Sequence, residues 1–186
     1  MKKRKLGKTS LDITPLAFGS AQVGTLELSD HQIQTVLNGL LDAGINLVDS
    51  AACYGDAEKI LGEKISPRRD EYVLVTKCGH STEPQDPPSW SPQIIYHSAE
   101  RSLRLMQTDH LDVLLLHSCS ADKLTDELLD ALAQCKQKGI TRFIGYSGDG
   151  EDALRALEHD LFDVFETSIS ICDQQVLDST LPKAAG

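Results

Sequence analysis

The feature that most constrains the fold is a repeated alternation of short apolar runs with longer amphipathic stretches. The runs at 72–76, 111–116 and 141–146 are largely apolar, and helix-like segments separate them. Strands without a polar face are typical of a parallel sheet that is buried on both faces. Strict alternation of strands and helices is typical of the α/β class. We therefore predict a parallel α/β fold.

The remaining elements are predicted from the same periodicity. A hairpin is expected from residues 3–6 and 11–14, around a turn at Gly7. Ser29 is a good N-cap and Gly44 a suitable C-terminal glycine for the first long helix. Strands are expected at 16–19, 45–49, 72–76, 111–116, 141–146 and 164–169. Further helices are expected at 57–64, 91–106, 124–138, 152–158 and 174–185.

Two closures of such a sheet fit this alternation, an open doubly wound sheet and an eight-stranded barrel. The first strand–helix turn, from Phe18 to Gly24, lacks the G-x-G-x-x-G pattern of a dinucleotide-binding Rossmann domain. A (β/α)8 TIM barrel with an N-terminal β-hairpin is therefore favoured. Such a barrel has eight units and about 250 residues. We therefore expect residues 1–186 to be a single barrel domain that is incomplete at the C-terminus, after the sixth strand.

Composition excludes several functional classes. The formal net charge of −10 argues against binding to nucleic acid or to an anionic membrane. No stretch reaches the roughly 20 apolar residues of a membrane helix, and no apolar signal-peptide core is present. The five cysteines are odd in number and form no C-x-x-C pair, so neither a disulfide framework nor a metal site is expected. We expect a cytoplasmic protein with reduced thiols, and the oligomeric state stays open.

Polar residues follow the hydrophobic runs where the predicted barrel strands end. Asp49 ends the second strand, and Tyr54 lies in the loop after it. Lys77 follows the third strand, His117 the fourth and Ser147 the fifth. In a barrel the C-terminal ends of the strands form the active-site face. We therefore expect these side chains to meet at the barrel mouth.

One chemistry that would use this set is the reduction of a carbonyl by hydride transfer. The phenol of Tyr54, with an ordinary pKa of about 10, can protonate a developing alkoxide. His117 can orient the carbonyl oxygen. The reverse oxidation would need the pKa of Tyr54 to fall by about 3 units. The ammonium of Lys77 acts in that direction, and Asp49 keeps the ammonium charged.

The other chemistry is that of a Schiff-base lyase with Lys77 as the nucleophile. That reaction needs a neutral amine, produced by desolvation or by a neighbouring cation. A carboxylate such as Asp49 beside the amine would keep it charged. Hydride transfer is therefore the favoured chemistry.

Four segments of the chain resemble the aldo-keto reductase family. Residues 46–55 resemble the segment that carries the family's catalytic Asp and Tyr, and residues 73–77 resemble its lysine strand. Residues 111–117 resemble its histidine strand, and residues 4–10 its N-terminal hairpin. The resemblance covers essentially the whole chain. It implies a (β/α)8 barrel that binds NADP(H) across its mouth and reduces small-molecule aldehydes or ketones to alcohols by hydride transfer from NADPH.

The same resemblance implies the roles of the predicted site residues. Tyr54 would be the general acid, Lys77 and Asp49 would tune it, and His117 would orient the substrate. Ser147 matches the first position of a Ser-Asn pair that holds the nicotinamide carboxamide, but the second position here is Gly148. Glu166 and Ile169 stand where many relatives carry a Gln and a stacking Tyr. The expected cofactor-binding residues are Ser147, Gly148, Glu166 and Asp49. The choice of NADPH over NADH follows from the family alone.

Two alternative hypotheses remain open at this point. The first is a barrel that binds the cofactor as a sensor, in a regulatory role and without catalysis. The second is an inactive fragment, because six strands do not close an eight-stranded barrel and leave sheet edges exposed.

Overall fold

The computed structural model describes residues 1–184, whose strands form two sheets. An antiparallel hairpin pairs β1 (Arg4–Lys5) with β2 (Asp12–Ile13). The second sheet is parallel and curled, and each of its strands pairs with the next along the chain. Its strands are β3 (Phe18–Gly19), β4 (Leu47–Asp49), β5 (Val73–Cys78), β6 (Leu111–His117), β7 (Thr141–Ser147) and β8 (Val164–Glu166). This arrangement confirms a hairpin followed by six strands of a (β/α)8 barrel.

Helices follow the strands and pack on the outer face of the sheet. They are α1 (Ala21–Thr25), α2 (Asp30–Asp42), α3 (Ala57–Ile65), α4 (Pro92–Leu105), α5 (Asp126–Gln137), α6 (Gly150–Ala156) and α7 (Thr180–Ala184). Ser29 begins α2 with a reciprocal capping box that it forms with Gln32, and Gly44 follows the helix with a φ of 78°. None of the helices within residues 1–184 is long and apolar enough to cross a membrane.

The structure departs from the predicted elements at both ends of the large sheet. The strand predicted at 16–19 has only two residues, and the short helix α1 after it was not predicted. The strand predicted to reach Ile169 ends at Glu166. It ends there because the hydroxyl of Thr167 and the backbone N–H of Ser168 donate to Asp149 instead of to a neighbouring strand.

The helix predicted at 174–185 is also wrong in its extent. A 3-10 turn at Gln175–Leu177 precedes α7, which begins only at Thr180. Pro182 has no backbone N–H and is tolerated only in the first turn of a helix, so a continuous helix through it is unfavourable. Ala185 lies outside the described residues.

The apolar residues of the barrel strands form two cores, one on each face of the sheet. Side chains in a strand alternate between faces. The inner core also contains Leu11 and Ile13 of the hairpin, which close the bottom of the barrel. Its strand members are Leu47, Val73, Val75, Val113, Leu115, Phe143 and Val164. The outer core packs against the helices and includes Leu74, Leu114, Leu116, Ile144 and Tyr146.

Continuing the inner-face alternation to the end of each strand fixes which polar side chains face the barrel mouth. The next inward positions are Asp49 on β4, Lys77 on β5 and His117 on β6. Ser147 and Glu166 hold the same position on β7 and β8 and are register partners. The apolar pattern of the strands therefore places five polar residues on one rim.

Asp112 is the buried acidic residue at the opposite, N-terminal end of β6. Its side chain is 3% exposed, and one carboxylate oxygen accepts from Arg69 at 2.8 Å and from the backbone N–H of Leu74 at 2.9 Å. Its other oxygen accepts from Arg142 at 2.7 Å. Burial raises the pKa of Asp112, but the hydrogen bond from the Leu74 N–H and the charge of the Arg69 guanidinium together lower it by more. The net pKa is therefore below the ordinary value. The carboxylate therefore ties β6 to β5 and β7.

We predict that Asp112→Asn lowers the free energy of unfolding by about 3 kcal/mol, because it removes one partner of a buried ion pair and leaves Arg69 uncompensated. Urea denaturation followed by circular dichroism measures the loss. The matched control is Asp12→Asn, which breaks an ion pair with Lys5 whose side chains are more than half exposed. That control should cost less than about 1 kcal/mol. Equal losses of the free energy of unfolding in the two variants would contradict a stabilising role for the buried Asp112 carboxylate.

Candidate active site

The centre of the rim is the buried ammonium of Lys77. Its side chain is 1% exposed, and Nζ lies 2.5 Å from Oδ1 of Asp49 and 3.0 Å from the backbone oxygen of Ser50. Burial lowers the pKa of Lys77, but attraction to Asp49 and Glu166 outweighs it and raises the pKa above its ordinary value. Lys77 therefore remains protonated. A buried ammonium is tolerated only when it has charged partners, and the two carboxylates provide them.

Glu166 provides a second carboxylate for the same ammonium. Its Oε1 lies 3.2 Å from Nζ of Lys77 and accepts a hydrogen bond from the hydroxyl of Ser147 at 3.1 Å. Burial raises the pKa of Asp49 to about 6, the ammonium of Lys77 opposes this rise, and Glu166 adds to it. Both carboxylates and the ammonium thus form one electrostatic unit across the barrel mouth. The pairing of Lys77 with Glu166 could not be predicted from sequence spacing.

Tyr54 lies beside this unit, in the loop between β4 and α3. The Nζ atom of Lys77 is 5.4 Å from the centroid of its ring. Burial raises the pKa of Tyr54 and outweighs the opposing effect of Lys77, so the net pKa lies above the ordinary 10.0. The pKa of Tyr54 is therefore not lowered toward the neutral range that the reverse oxidation would need. At neutral pH the side chain of Tyr54 is therefore a protonated phenol, which can donate a proton.

His117 completes the group on the side of β6. Its ring meets the Tyr54 ring edge-on, with centroids 6.0 Å apart, and meets the ring of His80 at 5.1 Å. Trp90 packs on His80 at 4.5 Å, so an aromatic wall borders the mouth. Burial, then the charge of Lys77, then His80 lower the pKa of His117 to about 4. The imidazole is therefore neutral at physiological pH.

The residues at the ends of β7 and β8 that were considered for cofactor binding differ in what they offer a ligand. Ser147 is buried at the end of β7 and faces Glu166. Gly148 has no side chain to offer, and its backbone N–H donates to the backbone oxygen of Glu166 at 3.0 Å. Ile169, which stands where many relatives carry a stacking Tyr and was not predicted to bind the cofactor, lies past the end of β8 and is 56% exposed. The structure therefore brings Ser147 and Glu166 to the Lys77 site.

Two supporting residues were missed by the sequence argument. Gly24 lies under the Tyr54 loop, where a Cβ atom would overlap the Tyr54 carbonyl oxygen. Glu58 is 2% exposed, and its Oε1 accepts from the hydroxyls of Thr76 at 2.6 Å and Ser102 at 2.7 Å. It thereby joins α3, which follows the Tyr54 loop, to the strand that carries Lys77. Both contacts are non-local, so neither periodicity nor strand-end position indicates them.

Comparison with known proteins finds relatives over nearly the whole chain. The sequence model of the Aldo/keto reductase family matches residues 15–176. L-galactose dehydrogenase of Arabidopsis thaliana is 33% identical over 96% of this chain and 58% of its own length. The uncharacterized oxidoreductase YqkF of Bacillus subtilis is 32% identical over 79% of this chain and 49% of its own length.

Solved structures give the same result for the fold. A crystal structure described as that of an aldo-keto reductase from Pseudomonas aeruginosa superposes with a TM-score of 0.84 at 30% identity, over 97% of this chain and 71% of that one. The aldo-keto reductase AKR11C1 from Bacillus halodurans, in its holo form, superposes with a TM-score of 0.82 at 28% identity, over 96% of this chain and 61% of that one. The chain spans about half the length of the curated relatives it matches.

We predict that Gly24→Ala destabilises the protein by about 1–3 kcal/mol, because the added methyl group must displace the Tyr54 loop. Chemical denaturation measures the change. Gly39→Ala is the matched control, since a Cβ atom at this position in α2 meets no atom within 4 Å. Alanine there should stabilise the helix by up to about 1 kcal/mol. Effects of the same sign in both variants would contradict the close approach at Gly24.

We also predict that His117 takes up a proton only near pH 4, as its pKa of about 4 requires. Two-dimensional NMR of the ring carbon–hydrogen pairs across a pH series measures this titration. Lys77→Met should raise the midpoint, because it removes the positive charge that disfavours protonation. A midpoint for His117 above pH 6 in the unsubstituted protein would contradict this description.

Proposed function

The chain belongs to the aldo/keto reductase family of oxidoreductases, and on that premise we propose that its protein reduces aldehydes or ketones to alcohols with NADPH, Tyr54 serving as general acid. The observation that carries the proposal is the convergence of Tyr54, Lys77 and His117 on one rim. The three residues come from one loop and two strands. The centroid of the Tyr54 ring lies 5.4 Å from Nζ of Lys77 and 6.0 Å from the centroid of the His117 ring. Their protonation states are those that carbonyl reduction needs.

The rim residues are chemically suited to hold a nicotinamide carboxamide. The hydroxyl of Ser147, which here donates to Glu166, can rotate to donate to an amide oxygen, and the carboxylate of Glu166 can then accept from the amide N–H. These two groups are adjacent, 3.1 Å apart, at the ends of β7 and β8. When bound, the nicotinamide would supply the hydride. The preference for NADPH over NADH is proposed from the family and not from these residues.

Tyr54 has the protonation state required of the acid. Its raised pKa keeps the phenol protonated at neutral pH. A developing alkoxide is far more basic than a phenolate, so the proton moves from Tyr54 Oη to the substrate oxygen. The ammonium of Lys77 lies over the ring of the phenolate that remains. At an effective dielectric constant of about 20 and the observed 5.4 Å, a full charge on the ring would gain about 3 kcal/mol from that ammonium.

The two carboxylates limit this gain and give Lys77 its position. Asp49 and Glu166 surround the ammonium with more negative than positive charge. They keep Lys77 protonated, so it acts as a cation and not as a nucleophile. The geometry therefore favours proton transfer over the Schiff-base chemistry of a lyase, which needs a neutral amine.

His117 is suited to bind the carbonyl oxygen before the proton moves. A neutral imidazole has one N–H donor and one acceptor nitrogen. Because its pKa is about 4, the ring does not compete with Tyr54 as the acid at neutral pH. A hydrogen bond from His117 would orient the carbonyl and stabilise the charge that develops on its oxygen. The aromatic wall of His80 and Trp90 borders the same space.

We predict that Tyr54→Phe lowers the turnover of aldehyde reduction by about 10²- to 10⁴-fold, the range for loss of a general acid. The consumption of NADPH with a panel of small aldehydes and ketones measures it. NADPH binding, followed by nucleotide fluorescence, should be retained. The matched control is Tyr96→Phe, which removes a hydroxyl on α4 that bonds only to Gln134 in the described structure.

Full activity in Tyr54→Phe would overturn the assignment of the acid. Tight NADPH binding by the unsubstituted protein with no turnover of any carbonyl would overturn the proposed function. That second result would favour a sensor.

A further inference from the structure

One contact of His117, made through Nδ1 of its ring, has no role in the proposed proton transfer. The Sγ atom of Cys53 lies 3.4 Å from Nδ1 of His117. Cys53 is exposed at the barrel mouth and directly precedes Tyr54 in the chain. We propose that Cys53 is a positioning residue: its thiol donates to Nδ1 of His117 and thereby fixes the ring tautomer that carries its proton on Nε2. This inference rests on the proposed reductase function.

The protonation states of both partners limit this hydrogen bond to two possible directions. Although Cys53 is exposed as a residue, partial burial of its thiol raises the pKa above the ordinary value, so the sulfur keeps its proton at neutral pH. Burial also lowers the pKa of His117 to about 4, so the ring carries a single proton. Two arrangements are then compatible with the distance: S–H donates to Nδ1, or Nδ1–H donates to sulfur. A thiol is both a weak donor and a weak acceptor, so its own chemistry does not decide between the two arrangements. Only the first leaves an N–H on Nε2, which is the donor that the proposed carbonyl reduction needs. The first arrangement is therefore favoured.

The tautomer decides whether His117 can assist the reaction. With Nδ1 occupied by the thiol, Nε2 bears the hydrogen and is the nitrogen left to face a ligand. No other hydrogen bond to the His117 ring is formed within residues 1–184. In the opposite tautomer Nε2 would be an acceptor and would repel a carbonyl oxygen. In proteins, the hydrogen bond made by one ring nitrogen of a histidine usually determines whether the other nitrogen carries the proton.

The loop holds the thiol in place independently of any ligand. The backbone N–H of Ala52 donates to the Lys77 oxygen at 3.2 Å, and the N–H of Tyr54 donates to the Ala51 oxygen at 3.0 Å. Cys53 lies between these two anchored residues. The same short segment therefore presents the proposed acid and sets the tautomer of the residue that orients the substrate.

The test compares Cys53→Ala with Cys53→Ser in the full-length protein. Ring ¹⁵N chemical shifts of His117, assigned by their loss in His117→Gln, report the tautomer directly. We expect Nε2–H in the unsubstituted protein, a mixture of tautomers in Cys53→Ala and recovery in Cys53→Ser, because a hydroxyl can also donate. Turnover should fall about two- to tenfold in Cys53→Ala, as for the loss of one hydrogen bond, and recover in Cys53→Ser. The KM for NADPH should not change.

Cys172→Ala is the matched control, because this second exposed thiol lies beyond β8. It should change neither the ring shifts nor the turnover. A proton on Nδ1 in the unsubstituted protein, or a tautomer that does not respond to Cys53→Ala, would overturn the inference. An Nε2–H tautomer that depends on Cys53, in a protein that reduces no carbonyl, would instead overturn the proposed function while the tautomer assignment stands.

Discussion

The interaction on which the rest of the site depends is the pairing of the Lys77 ammonium with two carboxylates. A buried ammonium without partners is strongly unfavourable, so the position of Lys77 requires Asp49 and Glu166 to face it. Asp49 lies on the neighbouring strand β4, whereas Glu166 lies on β8, across the barrel mouth. Through Glu166 the ion therefore connects β5 to β8, two strands that are not neighbours in the sheet. Tyr54 lies beside this ammonium, and Ser147 donates a hydrogen bond to one of its carboxylate partners.

Much of the fold could be predicted from local patterns in the sequence. Alternation of apolar runs with amphipathic segments gave the α/β class and the six strands. The caps at Ser29 and Gly44 gave the bounds of α2 closely, because capping chemistry is local. The two-residue alternation within each strand also determines which residues reach the rim. Asp49, Lys77 and His117 were predicted to lie there because each follows an apolar run.

The features that the sequence could not reveal depend on contacts between distant residues. The end of β8 is set by Asp149, which binds Thr167 and Ser168 from another loop. The high pKa of Tyr54 is the outcome of burial against the charge of Lys77, and the sequence contains no measure of burial depth. The overlap at Gly24 is likewise visible only once the Tyr54 loop is placed. Each of these outcomes is decided by three-dimensional distance.

The division of roles proposed here follows from the different environments of the rim residues. Tyr54 is protonated at neutral pH by its ordinary pKa, which burial raises further, and burial keeps His117 neutral, while paired carboxylates keep Lys77 charged. One environment therefore supplies a proton donor, a neutral hydrogen-bond donor and a cation within a few ångströms. A shift in any one of these protonation states would remove the chemistry, so the electrostatic balance matters as much as the identity of the residues.

The most direct test of this account is a double-mutant cycle on turnover with Lys77→Met and Tyr54→Phe. If Lys77 acts through the phenolate of Tyr54, Lys77→Met should lower turnover in the unsubstituted protein and cause no further loss in Tyr54→Phe. The folded fraction of each variant must be measured by circular dichroism, because Lys77 also holds strands together. Losses that add in the double variant would show that Lys77 acts independently of Tyr54 and would contradict the account.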